Sequence, residues 1–280
     1  MSQQSASHWE VFVLEYARAK DQPIASLING THDQGVMDTP FSFVFARSGD
    51  RNVLVDTGFM REGLGEEMSV RFGVPDWISP LRLLEELGVK PEDITDIFLS
   101  HAHFDHMGSV HKFPSARLYI QKRELLSWHE MLTLPKQFDY LTAIINPDDM
   151  RAMFTASIDH RVTLLDGDRE NALPGLHARL GPGHTMGQQF IVLETARGPM
   201  VVAGDCIYSR VNLTGHNHDG CYVPLNNTVG SVYDQLMTMD RIKTAVDGDL
   251  DRVIILHDID RWNNFELVKE IDGFKIVRAA

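Results

Sequence analysis

Residues 94–109 read Ile94-Thr95-Asp96-Ile97-Phe98-Leu99-Ser100-His101-Ala102-His103-Phe104-Asp105-His106-Met107-Gly108-Ser109. An apolar run with strand character, 94–99, feeds directly into His-Ala-His-Phe-Asp-His, which places four potential metal ligands within six positions. A strand that ends in a tight turn can aim several side chains at one point. Imidazole and carboxylate are the ligands that a zinc-like divalent ion prefers. A bare His-x-His pair is common and usually means little, but three histidines and an aspartate would be a costly way to build an ordinary loop. His101 and His103 share parity on an extended segment, so both can point to one side. Asp105 and His106 lie beyond the strand end, where a turn can redirect them.

Three more ligand types follow, each after a strand-like run or in a Gly/Pro turn: Gly183-His184-Thr185, Gly204-Asp205 and His257-Asp258. Upstream, Asp56-Thr57-Gly58 follows an apolar strand at 52–55. Taken in order with the turn Gly181-Pro182-Gly183-His184-Thr185, these elements resemble the metallo-β-lactamase superfamily, and the likeness covers most of the chain. It implies an α+β fold, an αββα sandwich of two mixed sheets packed face to face with helices on both outer faces. It also implies that His101, His103 and His184 hold one metal, that Asp105, His106 and His257 hold a second, and that Asp205 bridges them. Zinc is the default because nothing here demands redox chemistry, although His/Asp sites of this kind also accept Mn, Fe or Co. Two metals roughly 3.5–4 Å apart can share a hydroxide at neutral pH and polarise a scissile carbonyl. Asp105 would then carry a proton to the leaving group, and no serine or cysteine nucleophile is required.

Tyr208 stands three residues beyond Asp205, and the closing segment reads Ile255-Leu256-His257-Asp258. Both details resemble the metal-dependent N-acyl homoserine lactonases, in which a tyrosine so placed donates a hydrogen bond to the substrate carbonyl or developing oxyanion. The competing reading of Tyr208 is an aromatic packed at a strand end. The resemblance implies lactone hydrolysis: ring opening to a hydroxy acid with no net redox change. Two features depart from that family. Ala102 sits where many lactonases carry a bulkier residue, and the spacing from His106 to His184, 184 − 106 = 78 residues, is long. The lactone's identity therefore stays open between an acyl homoserine lactone and a catabolic lactone. A cyclic amide hydrolase, a thioesterase or a β-lactamase of the same superfamily is the near alternative. A mononuclear iron dioxygenase would leave part of the second ligand set unused, and a non-catalytic metal-binding protein would be expected to have lost ligands.

The rest of the composition agrees. At 280 residues the chain fits one domain, 1–280, with ample length to bury a core. Its content, 43% hydrophobic and 23% charged, is that of a soluble globular protein. No run of about 18 apolar residues suggests a membrane span, and the polar residues 1–7 lack an apolar signal core, which points to the cytoplasm. The net charge of −13 disfavours nucleic acid, whose binding needs a positive surface. The partner is thus a small-molecule substrate. Two cysteines, Cys206 and Cys221, read as reduced thiols, with Cys206 a small buried residue beside the site.

Strands are expected at 9–16, 41–46, 52–55, 94–99, 117–121, 161–165, 176–180, 189–194, 200–203 and 252–256. Helices are expected at 80–87, with Ser79 as N-cap and Gly88 as its stop, at 122–130 and at 231–245. Residues 135–156 carry aromatic and apolar side chains with loose helical spacing. They read equally as a helical pair packed on a sheet and as an insertion that walls the site. The N-terminal strand and this region are the candidate contacts for a homodimer. Loop 209–227 holds a second His-x-His, His216 and His218, but no strand leads into it and no acidic partners follow, so it reads as loop.

Overall fold

A computed structural model describes residues 8–280; the polar segment 1–7 lies outside the described residues. Strand β1 (Glu10–Pro23) shows how the layers stack, because Val11 and Val13 face one apolar cluster while Phe12 and Leu14 face another. Strand β2 (Val36–Ser48) divides in the same way, with Val44 and Ala46 on the first side and Phe43 and Phe45 on the second. This is the period-2 alternation of a strand buried on both faces. Each such side chain contributes roughly 1.5–3 kcal/mol of burial.

The sheet continues through β3 (Arg51–Val55), β5 (Asp96–Phe98), β6 (Arg117–Gln121) and β7 (Val162–Leu165), with the short β4 (Asp76–Trp77) paired to β1. Strands β1, β2 and β3 are antiparallel, and β3, β5, β6 and β7 are parallel. A second sheet holds β8 (Arg169–Leu173), β9 (Leu176–Leu180), β10 (Gln189–Thr195), β11 (Gly198–Val202) and β12 (Val253–Ile254), in the order β12-β11-β10-β9-β8. Only β11 and β12 run parallel in it. The chain ends in a hairpin, β13 (Glu266–Ile271) and β14 (Phe274–Arg278), which returns to the first sheet and pairs with β1.

Between the sheets, Val11, Val13, Val44 and Val55 meet Leu176, Ile191, Leu193 and Val202. On the outer face of the first sheet lie the helices Leu64–Arg71, Pro80–Glu86, Lys122–Met131 and Pro147–Ile158, which deliver Met68, Leu83, Leu84, Trp128 and Met153 to its cluster. The helix Val232–Ala245 covers the second sheet through Met239 and Ile242, against Phe190, Val192 and Val201. The result is the expected αββα sandwich of two mixed sheets.

The expected elements recur with shifted ends. Strand β1 runs on to Pro23, because Ala17–Ala19 keep pairing with Thr39–Phe41 across a bulge. On the side away from β2 it pairs with β14 at Phe12–Leu14 and with β4 at Ala17–Arg18. The helix after Ser79 ends at Glu86. Gly88, at φ +72°, closes it with its N–H on the Glu85 carbonyl, as expected of a C-terminal glycine. Ser79 occupies the expected N-cap position, where its carbonyl accepts from the Arg82 and Leu83 N–H groups while its side chain makes no capping bond. The strand before His257 is only Val253–Ile254, since the chain turns at Leu256. Both free cysteines are thiols, Cys206 buried and Cys221 exposed.

Candidate metal centre

Six of the seven expected ligands lie just beyond the C-terminal ends of strands that have a parallel partner, where α/β sheets place ligands, and His184 lies in the loop between the antiparallel β9 and β10. His101 follows β5, Asp205 follows β11 and His257 follows β12, while Asp105 and His106 sit on the one-turn helix Phe104–Met107 just beyond. Gly204 permits the turn into Asp205: its φ is +54°, and a Cβ there would lie 2.8 Å from the Ser100 side chain. Gly183, before His184, is pinned in the same way against the Gln235 backbone at 2.6 Å.

All seven side chains converge and are buried. His101, His103, His184 and Asp205 form one group whose ligand atoms lie within 4.8 Å of one another, and Asp105, His106 and His257 form another. Asp205 faces both. Its Oδ2 is 3.4 Å from His184 Nε2 and 3.8 Å from His101 Nε2, and its Oδ1 is 3.1 Å from both His106 Nε2 and His257 Nε2. Asp105 Oδ2 is 3.2 Å from His106 Nε2. Yet His101 Nε2, His106 Nε2 and Asp205 Oδ1 are buried without a hydrogen-bond partner. Such atoms are costly unless something satisfies them. A set of inward-facing imidazole lone pairs around two carboxylates fits divalent cations.

The rear nitrogens decide which lone pairs face inward. His257 Nδ1 lies 2.8 Å from the Pro40 carbonyl, which can only accept, so Nδ1 carries the proton and Nε2 is free. His106 Nδ1 lies 2.8 Å from Asp56 Oδ2. Asp56 also accepts from Ser100 N–H at 2.6 Å and from Ser100 Oγ at 2.8 Å, and Ser100 Oγ in turn lies 3.0 Å from His101 Nδ1. This carboxylate therefore fixes the tautomers of two candidate ligands, the usual task of a residue behind a metal-bound histidine. It is fully buried and held at φ +64°, a conformation uncommon outside glycine. Tyr16 adds a support by donating to the Asp105 carbonyl at 2.8 Å.

Electrostatics agree with the same assignment. Burial pushes His101 well below its ordinary value and brings His103 and His184 to about 3, so all three are neutral, as ligands must be. Burial acts the same way on His106 and His257, but the surrounding carboxylates, Asp205 first, then Asp105 and, at His106, Asp56, together outweigh it and raise both. Burial would raise Asp205, whereas His106 and His257 hold it well below the carboxylate range. Asp205 thus demands positive charge on its Oδ1 side, which a cation held by these groups supplies with both imidazoles neutral.

The centre opens on a cavity of about 90 Å³, lined by His103, Asp105, Asp205, Tyr208 and His257 on one side and by Leu27, Phe41, Phe72, Phe104 and Ile144 on the other. A second cavity of about 190 Å³ shares Phe72, His103, Ile144 and Asn227 with it and reaches Tyr140, Leu141 and Ala143. The 135–156 region contributes both to the core and to the cavity lining. Met153 and Ile145 pack into the core, while Ile144 and Leu141 wall the cleft. Tyr208 packs beside the ligands with its hydroxyl turned toward Asp205. Its ring lies edge-on to both His184 and His257, and its hydroxyl donates to Asp205 Oδ2 at 2.9 Å. Burial pushes that hydroxyl well above its ordinary value, so it remains a donor at neutral pH.

Loop 209–227 is ordered by Asn212, whose side chain accepts from Tyr208 N–H at 3.0 Å and Ser209 N–H at 2.9 Å and donates to Val223 O at 2.8 Å. His216 and His218 are exposed, and His216 Nε2 meets the Asn29 carbonyl at 2.9 Å. Neither belongs to a metal-capable group among the described residues. Replacing both by alanine is expected to leave the metal content of the purified protein unchanged, and a fall in metal per chain would overturn this assignment. Sequence reasoning did not single out Asp56, Ser100 or Glu124 as site residues. For Asp56 the signal was present in the Asp-Thr-Gly turn. For Glu124 nothing local could reveal it.

The Metallo-beta-lactamase superfamily domain matches residues 38–257. An N-acyl homoserine lactonase of Bacillus sp is 25% identical over 256 residues, covering 88% of this chain and 92% of that protein. The N-acyl homoserine lactonase AiiB of Agrobacterium fabrum is 26% identical over 256 residues, covering 85% and 86%. Among solved structures, the dizinc quorum-quenching lactonase AidC, in complex with a product, aligns with a TM-score of 0.67 at 19% identity over 98% of this chain and 95% of its own. The hydrolase AbOPH in the β-lactamase superfamily aligns with a TM-score of 0.69 at 17% identity, covering 99% and 98%. At these identities the structural likenesses speak to the fold.

Proposed function

The chain belongs to the metallo-β-lactamase superfamily, and from that premise we propose that it is a metal-dependent hydrolase that opens a lactone ring. The observation that carries the reading is the position of the Tyr208 hydroxyl. It stands on Asp205 and lines the small cavity that His103, Asp105, Asp205 and His257 also line. The names of the relatives, N-acyl homoserine lactonases, support the same substrate class.

In this reading His101, His103, His184 and Asp205 would hold one divalent ion, and Asp105, His106 and His257, with Asp205, would hold the other. When bound, two such ions supply Lewis-acid polarisation of a carbonyl and lower the pKa of a water toward neutrality. The chain's own residues do the rest. Tyr208 donates a hydrogen bond to the carbonyl oxygen as charge develops on it. Asp105, at the cavity wall, delivers a proton to the ring oxygen as the acyl C–O bond breaks. Phe41, Phe72, Phe104 and Leu27 exclude water around the ring and favour an apolar substituent. One water is consumed, a hydroxy acid leaves, and nothing is oxidised or reduced.

Zinc is the proposed metal, given the nitrogen-rich donor set and the absence of any need for redox chemistry. The unpaired thiols of Cys206 and Cys221 support a reducing, cytoplasmic setting. No helix among the described residues is long and apolar enough to cross a membrane. A single domain over 1–280 and a homodimer complete the proposal.

The test is a substrate panel run on metal-replete protein, with proton release followed and metal content determined on the same sample. The panel holds short- and long-chain acyl homoserine lactones, simple γ- and δ-lactones, an aromatic lactone, a cyclic amide, a thioester and a β-lactam. Selective lactone turnover with about two metals per chain is the expected result. Two metals with cleavage of a different member alone would keep the centre and move the function to a neighbouring hydrolase.

A further inference from the structure

The five histidines of the centre are not braced alike. His101, His106 and His257 each have a hydrogen-bonding partner on the rear nitrogen, namely Ser100, Asp56 and Pro40. His103 Nε2 and His184 Nδ1 have none, although both are buried. These two rings face each other, His103 Nδ1 to His184 Nε2, at 3.1 Å. Nothing bonded to either ring fixes its angle, so the backbone and the packing around it must.

Glu124 stands where that task is done. It lies on the helix Lys122–Met131 and is fully buried. Its Oε1 accepts from Ala102 N–H at 3.0 Å and from Trp128 Nε1–H at 2.6 Å. Its Oε2 accepts from Thr185 Oγ at 2.7 Å and from Gly187 N–H at 3.0 Å. Ala102 separates His101 from His103, and Thr185 follows His184. The Trp128 indole packs against the His103 ring with centroids 5.5 Å apart. One carboxylate thus ties the two segments whose histidines lack rear partners, and it seats the aromatic plane that backs one of them. Four donors aim at it, and only a carboxylate, which accepts at both oxygens, can satisfy all four. Gly187 leaves no room for another arrangement, because a Cβ there would lie 2.2 Å from the Glu124 nitrogen.

We propose that Glu124 is a positioning residue for the first metal set, one that sets the geometry of His103 and His184 without touching the metal or the substrate. The proposal rests on the reading of these residues as metal ligands. Its signature is asymmetry. In Glu124→Gln one oxygen becomes an NH₂ group. Turned toward Thr185 and Gly187 it faces one fixed N–H, and turned toward Ala102 and Trp128 it faces two. The two segments then part, and the set His101, His103 and His184 loses its preorganisation, while Asp105, His106 and His257, held through Asp56 and Pro40, do not.

The experiment titrates metal-free wild type and Glu124→Gln with Co²⁺, following visible absorption in competition with a chelator. His184→Ala and His257→Ala identify which binding phase belongs to which set. Glu124→Gln is expected to weaken the phase that His184→Ala removes by about 10- to 100-fold, the usual effect of losing a residue behind a metal ligand, with an altered absorption band. The phase that His257→Ala removes should keep its wild-type affinity. Equal weakening of both phases, or wild-type binding and spectrum, overturns the proposal. If Glu124→Gln does not fold, Thr185→Val decides, since it removes one of the four donors and leaves the carboxylate. A smaller loss confined to the same phase supports the proposal, and unaltered binding overturns it. A wild-type chain that binds no Co²⁺ brings down the metal reading itself, a failure distinct from that of a wild type with two phases and an indifferent variant.

Discussion

Asp205→Ala is expected to lose at least one metal ion per chain and to reduce turnover to background. Asp205 is the one side chain that faces both ligand groups, with Oδ2 toward His101 and His184 and Oδ1 toward His106 and His257. Removing it takes a ligand from each group and halves the carboxylate charge of the centre, leaving Asp105 alone. Divalent ions in a fully buried pocket are costly without compensating negative charge, so the remaining three-ligand sets cannot hold both. The loss is chemical as well as structural. Each 1.36 kcal/mol of lost transition-state stabilisation is tenfold in rate, and a missing ion removes both carbonyl polarisation and water activation. Metal analysis and turnover on the same purified sample check the prediction. Two ions with full turnover would sink the reading of Asp205 as the ligand shared by both sets, whereas one ion with residual turnover would assign chemistry to the set that survives.

The histidine pattern makes most of this candidate centre legible in the sequence. His101-x-His103 on an extended segment, Asp105-His106 past its end, and Gly-flanked His184 and Asp205 are local arrangements. Their meaning follows from strand parity and turn geometry. Two short strands are equally legible, at 117–121 and 176–180, where sequence and structure agree to the residue. What the reading missed has physical reasons. The strand Glu266–Ile271 exposes five of its six residues and carries no clean alternation. Its turn, Asp272-Gly273, was nonetheless a fair signal, since both residues sit at positive φ, +50° and +83°, as a two-residue hairpin requires. The helix Leu64–Arg71 buries only Gly65, Met68 and Ser69, too few apolar positions to mark a face. Glu124 was invisible for a different reason. Its partners Ala102, Thr185 and Gly187 lie 22, 61 and 63 residues away, so only the fold brings them together. The long interval from His106 to His184 likewise gained its meaning from structure, because it houses Glu124 and the residues that wall the cleft.

Tyr208→Phe is expected to lower kcat by between about ten- and a thousandfold, the upper end matching the loss of one oxyanion donor in other hydrolases, while both metals stay in place. Two roles compete for this hydroxyl. It donates to Asp205 Oδ2 at 2.9 Å, which would make it a brace for the bridging carboxylate, and it lines the cavity, which would make it a donor to substrate. The phenylalanine variant keeps the ring against His184 and His257 and removes the hydroxyl alone, so packing is preserved and the two roles separate cleanly. If the hydroxyl mainly orients Asp205, metal affinity falls and the rate of fully loaded enzyme recovers at high metal concentration. If it donates to the oxyanion, metal affinity is unchanged and the deficit persists at every metal concentration. It should then appear in kcat rather than in KM, because the interaction strengthens only as charge develops. Burial and the charge of Asp205 hold the hydroxyl protonated well above neutral pH. The wild-type rate should accordingly show no loss of this donor across the neutral range. An unchanged kcat in the loaded variant would leave Tyr208 as a packed aromatic and remove the chief argument, within this chain, for a lactone over the other acyl substrates of the superfamily.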